Sequence, residues 1–599
     1  MALELGKQEI VKFLSAFSFF LILFTLYIVA ESPGVQGYEI SIYAEYPQYL
    51  WHIILISILL CHVILVINIF FEMNSSISWK AAYIGIVLSN SIILLIPLIR
   101  RYTIYGSGDP STHMGYMLDI LRKGDIGTNM YPIEHILGVI THQICAFDLN
   151  ISLLIYPTIF YIFFALITFL LYGVILDDRP SIFIGMMIAP LLLFGPGTYL
   201  FNPNGQMNCY FFFLLYLYFS RFLEKNVVPF EILIIITLIF VTFIHPLGCI
   251  FAVIIFAITD LSYYLIKSTD SKININFKKS NFLILTSFVI YFMWQSYVIV
   301  FAQSVYRINK WLLLEIGQSQ FQHHSELISE MQPTTFFLLD AFVHKYGIYF
   351  LIFILSVISI IIITKLWKTK KISINIYNLL FSIGFIFSFV FYILSIFIVS
   401  ESGFGRICFV AFMFSLLLIP TAFGYLQKLP FNLISKATII LFALFLVTLT
   451  YLSIYTIHLT PISNSPGLHV TDSQLVGINS FFEKRNEHLK ISEGGVSINR
   501  IGDALYGTSS HQNNVVYAEN SSIPPHFKFE KNQGEPLYII IGKLLRIIYP
   551  EIIPEYPKSW KFNQTDFNLF ENNINVSKIY SNSEIDVYLL KTTHEGISI

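Results

Sequence analysis

Charged residues are scarce in this sequence, and so is cysteine. Asp, Glu, Lys and Arg make up only 12% of the 599 residues, whereas hydrophobic residues make up 55%. This balance excludes an ordinary soluble protein. The formal net charge is −1 and no block of basic residues occurs, so the sequence indicates no nucleic-acid partner. The five cysteines stand singly, which argues against a disulfide framework, a CxxC metal site and redox chemistry.

Long apolar runs occupy most of the first 459 residues. Splitting them at their polar breaks gives about thirteen segments of the length that a membrane-spanning helix requires. They lie at 10–30, 49–71, 80–99, 151–176, 181–201, 206–223, 229–245, 247–266, 281–302, 346–366, 377–399, 404–426 and 437–458. The sequence therefore predicts a polytopic α-helical membrane protein whose first apolar run is a retained span. The segment broken at His245–Pro246 fits either two short spans or a re-entrant hairpin.

The distribution of lysine predicts the orientation of these spans. With thirteen spans and a cytoplasmic N-terminus, the inner loops hold most of the short-loop lysines, as the positive-inside rule requires. The loops rich in acidic residues and histidines, together with the tail, then face outward. This predicts a multi-pass protein of the cell membrane with an extracellular C-terminal domain. Asn-X-Ser/Thr triplets at Asn520, Asn563 and Asn575 agree with an external tail.

Residues 460–599 have the composition of a soluble domain, in contrast to the membrane domain at 1–459. Short apolar runs such as "NNVVYAE", "PLYIIIG" and "IDVYLLK" lie between Gly, Pro and Asn residues and predict strands. The apolar spacing in "DSQLVGINSFFEKRN" predicts a helix. The tail is long enough for a small external α/β domain with its own core.

A polar loop at 100–150 interrupts the apolar pattern directly after the third predicted span. Apolar residues recur within it at helical spacing, namely Met114, Met117, Leu118 and Leu121. Gly124 follows as a helix stop would, so the pattern predicts an amphipathic helix lying along the membrane surface. Asp109 precedes Pro110, which is typical of a helix N-cap followed by proline at the first position. Such a cap holds a carboxylate in a fixed place and does not exclude catalysis.

Titratable side chains cluster in this loop, where they could do chemistry at the membrane surface. They are Asp109, His113, Asp119, Asp125, Glu134, His135 and His142. A carboxylate between water and lipid can act as a general base toward an acceptor hydroxyl. Asp109 with His113, four residues along, could instead hold a divalent cation such as Mg²⁺ or Mn²⁺. No HxH or HExxH spacing fixes metal ligands here, and ordinary solvated histidines would give the same pattern.

The order of three features in this loop resembles the first luminal loop of the GT-C superfamily of membrane glycosyltransferases. The features are "GD" ending at Asp109 after an apolar span, an amphipathic helix that ends at Gly124, and "YP" at Tyr131–Pro132. The resemblance implies a GT-C-like fold and a polyprenyl- or dolichyl-phosphate sugar donor. It also implies that Asp109 is the catalytic group.

The sequence departs from the usual pattern of that superfamily in two ways, one in its topology and one that bears on the expected activity. The acidic loop of the superfamily usually follows the first span, whereas here it follows the third predicted span, which requires two additional N-terminal helices. The tail also lacks the WWDYG-like motif of oligosaccharyltransferase subunits. The resemblance therefore implies a single-sugar transferase, of the RgtA/B/C/D-like or mannosyltransferase-like kind.

A donor phosphate requires cations near the outer interface. The predicted substrate-binding residues are Arg101, His113, Glu134, His135, Lys310 and Arg406. The loop at 303–345 is a candidate flap over the donor. Structural roles are equally compatible with the pattern: Arg101 as an interface anchor, Arg406 as an ion-pair partner of Glu401 or a lipid headgroup anchor, and the loop as a solvated connector.

The sequence thus predicts a transferase that moves a sugar from a polyprenyl-phosphate donor to a lipid-linked glycan or protein acceptor, with Asp109 as the general base. Two other functions stay open. A transporter or flippase of lipid-linked oligosaccharide would carry charges midway along several spans and show two similar halves. A ligase or polymerase that joins lipid-linked glycans would also need a large outer loop.

Overall fold

A helical bundle makes up the first three quarters of the chain, and a unit with a β-sheet follows it. The computed structural model describes residues 2–71, 77–106, 108–127, 129–176, 178–193, 200–269, 279–298, 306, 320–372, 376–398, 404–427, 433–461, 465–467, 469–512, 517–529 and 536–591. The structural statements below concern these residues.

The bundle consists of helices joined by loops. Its described helices are α1 (Ala2–Glu31), α2 (Gln48–Phe70), α3 (Ser78–Ile99), α4 (Asp109–Lys123), α5 (Pro132–Cys145), α6 (Leu149–Ile175), α7 (Arg179–Ile188), α8 (Pro203–Ser220), α9 (Val228–Ile244), α10 (Leu247–Thr269), α11 (Asn281–Tyr297), α12 (Gln320–Met331), α13 (Thr335–Lys368), α14 (Ile376–Ile398), α15 (Phe404–Gln427) and α16 (Leu433–Tyr455). In the described part, eight of them contain a stretch long and apolar enough to cross a membrane: α1, α2, α3, α6, α10, α13, α14 and α15. This confirms a polytopic α-helical membrane protein, while the count of thirteen spans stays a prediction.

The predicted span at 181–201 is not a single helix in the structure. The apolar run at 181–201 predicted a single helix, but α7 ends at Ile188 and the chain turns there. Pro190 lacks a backbone N–H, so it cannot continue the helix without breaking its hydrogen-bond ladder. The Pro190 carbonyl instead accepts hydrogen bonds from Asn90 Nδ2 (2.7 Å) and the Tyr161 hydroxyl (2.5 Å). Side chains of α3 and α6 therefore satisfy the polar backbone of this buried turn.

The break at His245–Pro246 separates two helices. His245 has an extended backbone with φ −158°, and its carbonyl accepts a hydrogen bond from the Gly248 N–H at 3.0 Å. The helices on either side, α9 and α10, contain 17 and 23 residues. At 1.5 Å per residue these correspond to about 25 and 35 Å. Of the two, α10 alone is among the helices that are long and apolar enough to cross a membrane, so the choice between two spans and a re-entrant hairpin stays a prediction.

The C-terminal domain contains a mixed five-stranded sheet. The described strands are β1 (Ile104–Tyr105), β2 (His469–Val470), β3 (Lys490–Gly494), β4 (Tyr517–Ser522), β5 (Leu537–Gly542), β6 (Val576–Ser581) and β7 (Ile585–Leu590). In the order β4-β3-β5-β7-β6, β3 is parallel to both neighbours and β7 is antiparallel to both. The described helices of this domain are α17 (Asp472–Lys484), α18 (Ile498–Tyr506), α19 (Thr508–Gln512), α20 (Lys543–Ile552) and α21 (Gln564–Glu571). This confirms the predicted α/β character of the tail.

Helix α4 ends where the sequence predicted and begins one residue earlier. It ends at Lys123 because Gly124 adopts φ +73° and donates its N–H to the Ile120 carbonyl at 2.8 Å. The Met117 side chain is fully buried on the apolar face. The polar face is also covered, since α4 packs against α18 and α19 of the C-terminal domain. The predicted orientation of α4 along the membrane surface stays a prediction.

The prediction that Asp109 is the N-cap of α4 was wrong. The N-cap is Gly108, Asp109 is the first helical residue, and no side chain caps the helix. The Pro110 ring lies against the backbone of Gly106, where a Cβ would lie 2.7 Å from Pro110 Cγ and 2.9 Å from Leu200 Cδ2. Gly106 can take this place because it has no side chain and adopts φ +106°. The Asp109 carboxylate is therefore not engaged in capping.

A buried ion pair ties the base of the polar loop to the rest of the fold. Arg100 donates from Nε to Glu39 Oε2 (2.8 Å) and from Nη2 to Glu39 Oε1 (2.5 Å). The two side chains are only 4% and 8% exposed. The Tyr102 hydroxyl donates to the same carboxylate, and the Glu39 N–H donates to His469 Nε2 at 3.1 Å. Directly afterwards β1 pairs with β2, so the C-terminal domain is joined to the loop just before α4.

Candidate functional site

The Asp109 carboxylate is exposed at the start of α4. Its side chain is 65% exposed, and its Oδ1 lies 3.5 Å from Nη2 of Arg500. Arg500 is the third residue of α18 and therefore belongs to the C-terminal domain. At 3.5 Å the contact is an ion pair wider than a good hydrogen bond, and the carboxylate stays accessible to solvent.

Thr112 connects Arg500 to a second acidic residue. Its hydroxyl accepts a hydrogen bond from Arg500 Nη1 (2.9 Å) and donates one to Asp503 Oδ2 (2.9 Å). Arg500 and Asp503 are three residues apart on α18, so they lie on the same face of that helix. Burial raises the pKa of Asp503, although the Thr112 hydrogen bond and Arg500 act in the opposite direction. The start of α4 is thus linked to α18 through one positively charged side chain, Arg500, and one acidic side chain, Asp503.

Asp119, in the C-terminal half of α4, is hydrogen-bonded to the C-terminal domain. Its Oδ2 accepts hydrogen bonds from the Thr508 hydroxyl (2.6 Å) and from the Ser509 N–H (3.0 Å). Burial would raise the pKa of Asp119, but these hydrogen bonds and nearby Lys123 outweigh it and lower that pKa. Asp119 therefore serves docking between the two parts of the chain.

His113 and His135 form a buried pair between α4 and α5. His113 Nδ1 lies 3.0 Å from His135 Nε2. The Asn129 amide is oriented by the Tyr131 N–H, which donates to Asn129 Oδ1 at 2.9 Å. Asn129 Nδ2 then donates to His135 Nδ1 at 2.7 Å. Neutral His135 consequently carries its proton on Nε2 and donates it to His113 Nδ1.

Glu134 is buried on α5 and faces α8. With its nitrogen toward the carboxyl group, the Gln206 amide donates to both oxygens of Glu134. Burial raises the pKa of Glu134 well above its usual value and so favours the neutral acid. His113, Glu134 and His135 all lie in the interior of this loop, so their predicted contact with a substrate stays a prediction.

The histidine pair makes the fold sensitive to acid. Burial lowers the pKa of His113 to about 4, and burial together with His113 lowers that of His135 well below its usual value. The unfolded chain, with histidine pKa values of about 6.5, therefore binds more protons as the pH falls toward 4, and stability is lost over that range. Each histidine contributes a slope of about 1.4 kcal/mol per pH unit.

We expect His113→Asn to flatten this pH dependence. The variant cannot be protonated, yet its side-chain oxygen can still accept the hydrogen bond from His135. Thermal unfolding midpoints of the solubilised protein at pH 7 and at pH 5 should differ less for His113→Asn than for the wild type. Titrating groups outside the pair contribute equally to both proteins and cancel, and the loss of His113 also removes its lowering effect on the pKa of His135, which flattens the pH dependence further. Equal differences in the two proteins would contradict the burial of a neutral His113.

Glu39 is a second candidate for the acidic residue of the GT-C pattern, because it lies in the loop after the first predicted span. Both of its oxygens accept hydrogen bonds from Arg100, and one also accepts from Tyr102. The Glu39 side chain is buried, whereas that of Asp109 is exposed. Glu39 is therefore fixed in a buried ion pair, whereas the Asp109 carboxylate is exposed to solvent.

The predicted cationic residues are described to different extents. Arg101 is exposed and adopts φ +63°, next to buried Arg100. Lys310 lies outside the described residues. Arg406 falls in α15, but its side chain is not among those described, and Glu401 also lies outside the described part. Their predicted roles in binding or pairing stay predictions.

Part of the predicted flap at 303–345 is described. It comprises α12 and the beginning of α13, so the helix predicted at 346–366 begins earlier, at Thr335. The N–H of Thr334 donates to the Tyr556 hydroxyl at 2.9 Å, and the Phe337 ring packs edge-on against Tyr556 at 4.9 Å. This loop therefore contacts the C-terminal domain.

The described residues contain no group of three or more His, Cys, Asp or Glu side chains that could hold a metal ion. His113 Nδ1 is bonded to His135, so the predicted Asp109 and His113 pair could offer a carboxylate and Nε2 alone. Such a pair falls short of the oxygen-rich octahedral shell that Mg²⁺ prefers. The Mg²⁺ or Mn²⁺ site stays a prediction.

Three residues near Asp109 did not emerge from sequence patterns, namely Thr112, Arg500 and Asp503. Thr112 lies on the predicted helix but looks like an ordinary polar surface residue. Arg500 and Asp503 belong to the tail, close to 390 positions away from α4 along the chain. Only the docking of the two domains brings them together, so no local signal could have identified them.

Comparison with known proteins gives no match in sequence. No protein-family model matches the chain. No curated protein is detectably similar to it.

Some solved structures are similar at low identity. ArnT from Cupriavidus metallidurans, bound to undecaprenyl phosphate, is 10% identical with a TM-score of 0.43, covering 87% of this chain and 99% of ArnT. The oligosaccharyltransferase of Archaeoglobus fulgidus, tethered to an acceptor peptide, is 11% identical with a TM-score of 0.49, covering 86% of this chain and 75% of that protein. AglB from Archaeoglobus fulgidus, in complex with an inhibitory peptide and a dolichol-phosphate, is 11% identical with a TM-score of 0.48, covering 79% and 71%. Because each TM-score is below 0.5, the likeness carries no conclusion about function.

Proposed function

We propose that this chain is a membrane glycosyltransferase that uses a polyprenyl- or dolichyl-phosphate-linked sugar. It transfers the sugar to a hydroxyl of a lipid-linked glycan or to a protein acceptor, and Asp109 acts as the general base. The proposal rests first on the exposed Asp109 carboxylate at the junction of the membrane domain and the C-terminal domain. The order of sequence features around Asp109, which resembles the GT-C loop, agrees with it.

The proposed reaction is a single displacement at the anomeric carbon. The acceptor oxygen attacks that carbon while its proton passes to the Asp109 carboxylate, and the bond between the sugar and the phosphate oxygen breaks. The lipid phosphate leaves with the bonding electrons. A transition state of oxocarbenium character is favoured by a nearby carboxylate, which makes exposed Asp109 suitable. Inversion at the anomeric carbon follows from the GT-C resemblance.

The proposed topology follows from lysine distribution. The N-terminus is cytoplasmic, and Asp109 and the C-terminal domain lie on the outer face of the cell membrane. A lipid-borne donor then reaches Asp109 from the bilayer, while the acceptor approaches from the water. The ArnT and AglB structures contain undecaprenyl phosphate and dolichol-phosphate, lipids of the proposed donor class, but their similarity is too low to support the proposal.

A panel of donors tests the proposal. Purified protein is reconstituted in liposomes with labelled polyprenyl-linked donors and with soluble and lipid-linked acceptors. The donors carry a single hexose, a single pentose or a preassembled glycan chain. Two readouts are taken from the same sample: label bound covalently to an acceptor, and movement of labelled lipid between leaflets. Empty liposomes are the control for spontaneous movement.

We expect at least one donor to yield covalent transfer that depends on the protein. Movement of intact labelled lipid without any transfer would contradict the proposal and would favour a flippase. Transfer of a preassembled glycan chain, with no activity on single sugars, would favour a ligase or polymerase.

A further inference from the structure

The contact between α4 and α18 has a fixed register. A Cβ at Gly115 would lie 2.5 Å from the carbonyl oxygen of Asp503, so the two helices approach closely at this point. Arg122 Nη1 donates to the Tyr506 carbonyl at 2.7 Å, near the other end of both helices. The close approach at Gly115 and the hydrogen bonds of buried Asp119 hold α18 in one position along α4, whereas the Arg122 hydrogen bond is exposed to solvent and is not needed for this register.

The start of α18 is also fixed within its own domain. Glu493, on β3, accepts a hydrogen bond from the N–H of Ile498 at 2.6 Å. This bond satisfies one of the N–H groups that a helix leaves unpaired at its N-terminus. Arg500 lies two residues further on and is therefore held by a helix whose first turn is anchored to the central sheet.

The guanidinium group of Arg500 contacts two residues of α4 through two different nitrogens. Nη1 donates to the Thr112 hydroxyl at 2.9 Å, and Nη2 lies 3.5 Å from Asp109 Oδ1. The planar guanidinium group fixes the angle between these two contacts. The shorter contact to Thr112 holds the group in place, and the wider one leaves the Asp109 carboxylate accessible. The Arg500 side chain is 41% exposed, so it borders the solvent in front of Asp109.

We infer that Arg500 is a positioning residue for Asp109, so that the C-terminal domain completes the active site of the membrane domain. The inference rests on the proposed function. Arg500, held through Thr112, keeps the Asp109 carboxylate turned toward the acceptor hydroxyl. A carboxylate that can rotate away from this direction loses the near-attack geometry, and small errors of this kind reduce rates strongly.

Kinetics of full-length variants test this role with a matched control. Arg500→Met removes the contact to Asp109, Arg500→Lys keeps the charge, and Thr112→Val removes the anchor of the guanidinium group. Arg122→Met is the control, because it also removes an arginine hydrogen bond between α4 and α18 but lies far from Asp109. Transfer is measured with the labelled polyprenyl-phosphate sugar found active in the panel, and thermal midpoints are recorded for every variant.

We expect Arg500→Met to lower kcat by about tenfold to hundredfold, with KM for the donor within about twofold of the wild type. Arg500→Lys should recover part of the loss, Thr112→Val should lower kcat in the same direction, and Arg122→Met should stay within about twofold. Equal losses in Arg500→Met and Arg122→Met, or a wild-type kcat in Arg500→Met, would overturn the inference alone. A wild-type protein that transfers no sugar from any donor would overturn the proposed function and the inference together.

Discussion

Asp109→Asn should lower the rate of sugar transfer by about 10²- to 10⁴-fold, which is the usual contribution of a general base. The amide has nearly the shape of the carboxylate but cannot take up the proton that the substrate hydroxyl loses. It also lacks the negative charge that favours an oxocarbenium-like transition state. The fold should tolerate the change, because the Asp109 side chain is exposed and its ion pair with Arg500 is wide.

A second acidic residue of the same loop provides the control for Asp109→Asn. Asp125 is exposed just beyond the end of α4, and its Oδ1 accepts a hydrogen bond from the Gly127 N–H at 3.0 Å. Asp125→Asn keeps a side-chain oxygen for that hydrogen bond while removing the same charge. We expect near wild-type transfer from Asp125→Asn. Similar losses in both variants would show that the charge of the loop matters and that Asp109 has no special role.

Arg100→Met should lower the free energy of unfolding by about 3 to 5 kcal/mol, the usual cost of removing one partner from a buried ion pair. The substitution leaves the Glu39 carboxylate buried without its cation. Tyr102 would still donate one hydrogen bond to it, which does not replace two charge-assisted bonds. The loop between α1 and α2, the end of α3 and the start of the C-terminal domain should all loosen.

The neighbouring arginine separates this effect from a general loss of charge. Arg101→Met removes an exposed cation one residue further on, so its effect on stability should stay within about 0.5 kcal/mol. Both variants are compared with the wild type by SDS titration in mixed micelles. The double variant Glu39→Gln/Arg100→Met should be more stable than Arg100→Met, because no unpaired charge remains buried. Equal stabilities of Arg100→Met and Arg101→Met would contradict the buried ion pair.

Local patterns predicted α4 well because the signals that shape it are local. The apolar spacing correctly predicted its buried face, and Gly124 correctly predicted its C-terminal end. The N-cap was predicted one residue too late, because proline is tolerated throughout the first turn of a helix and glycine is also an acceptable N-cap. The apolar run at 181–201 was wrongly predicted to be one helix, since hydrophobicity alone does not distinguish a continuing helix from a buried turn at Pro190.

Polar pairs between distant segments were beyond the reach of the sequence. The position of Arg101 at the loop boundary suggested an interface anchor or a donor ligand, and nothing in the sequence indicated that neighbouring Arg100 is buried against Glu39. In the same way, the sequence singled out Asp109 but not Arg500, because the C-terminal domain looked like a separate unit. Docking of that domain on α4 depends on close helix approach at Gly115 and on hydrogen bonds such as those of Asp119. Such complementarity between two surfaces arises only in the tertiary structure and leaves no periodic pattern of residues in the sequence.

The most direct measurement of the proposed chemistry counts both products of a single reaction. The purified protein receives a polyprenyl-phosphate sugar labelled with one isotope in the sugar and another in the lipid, together with an acceptor identified in the panel. We expect one free lipid phosphate to be released for every sugar bound to the acceptor, and neither product to accumulate with Asp109→Asn. Sugar that changes leaflet while still attached to its lipid, or transfer that proceeds equally well in Asp109→Asn, would contradict a glycosyltransferase that uses Asp109 as its base.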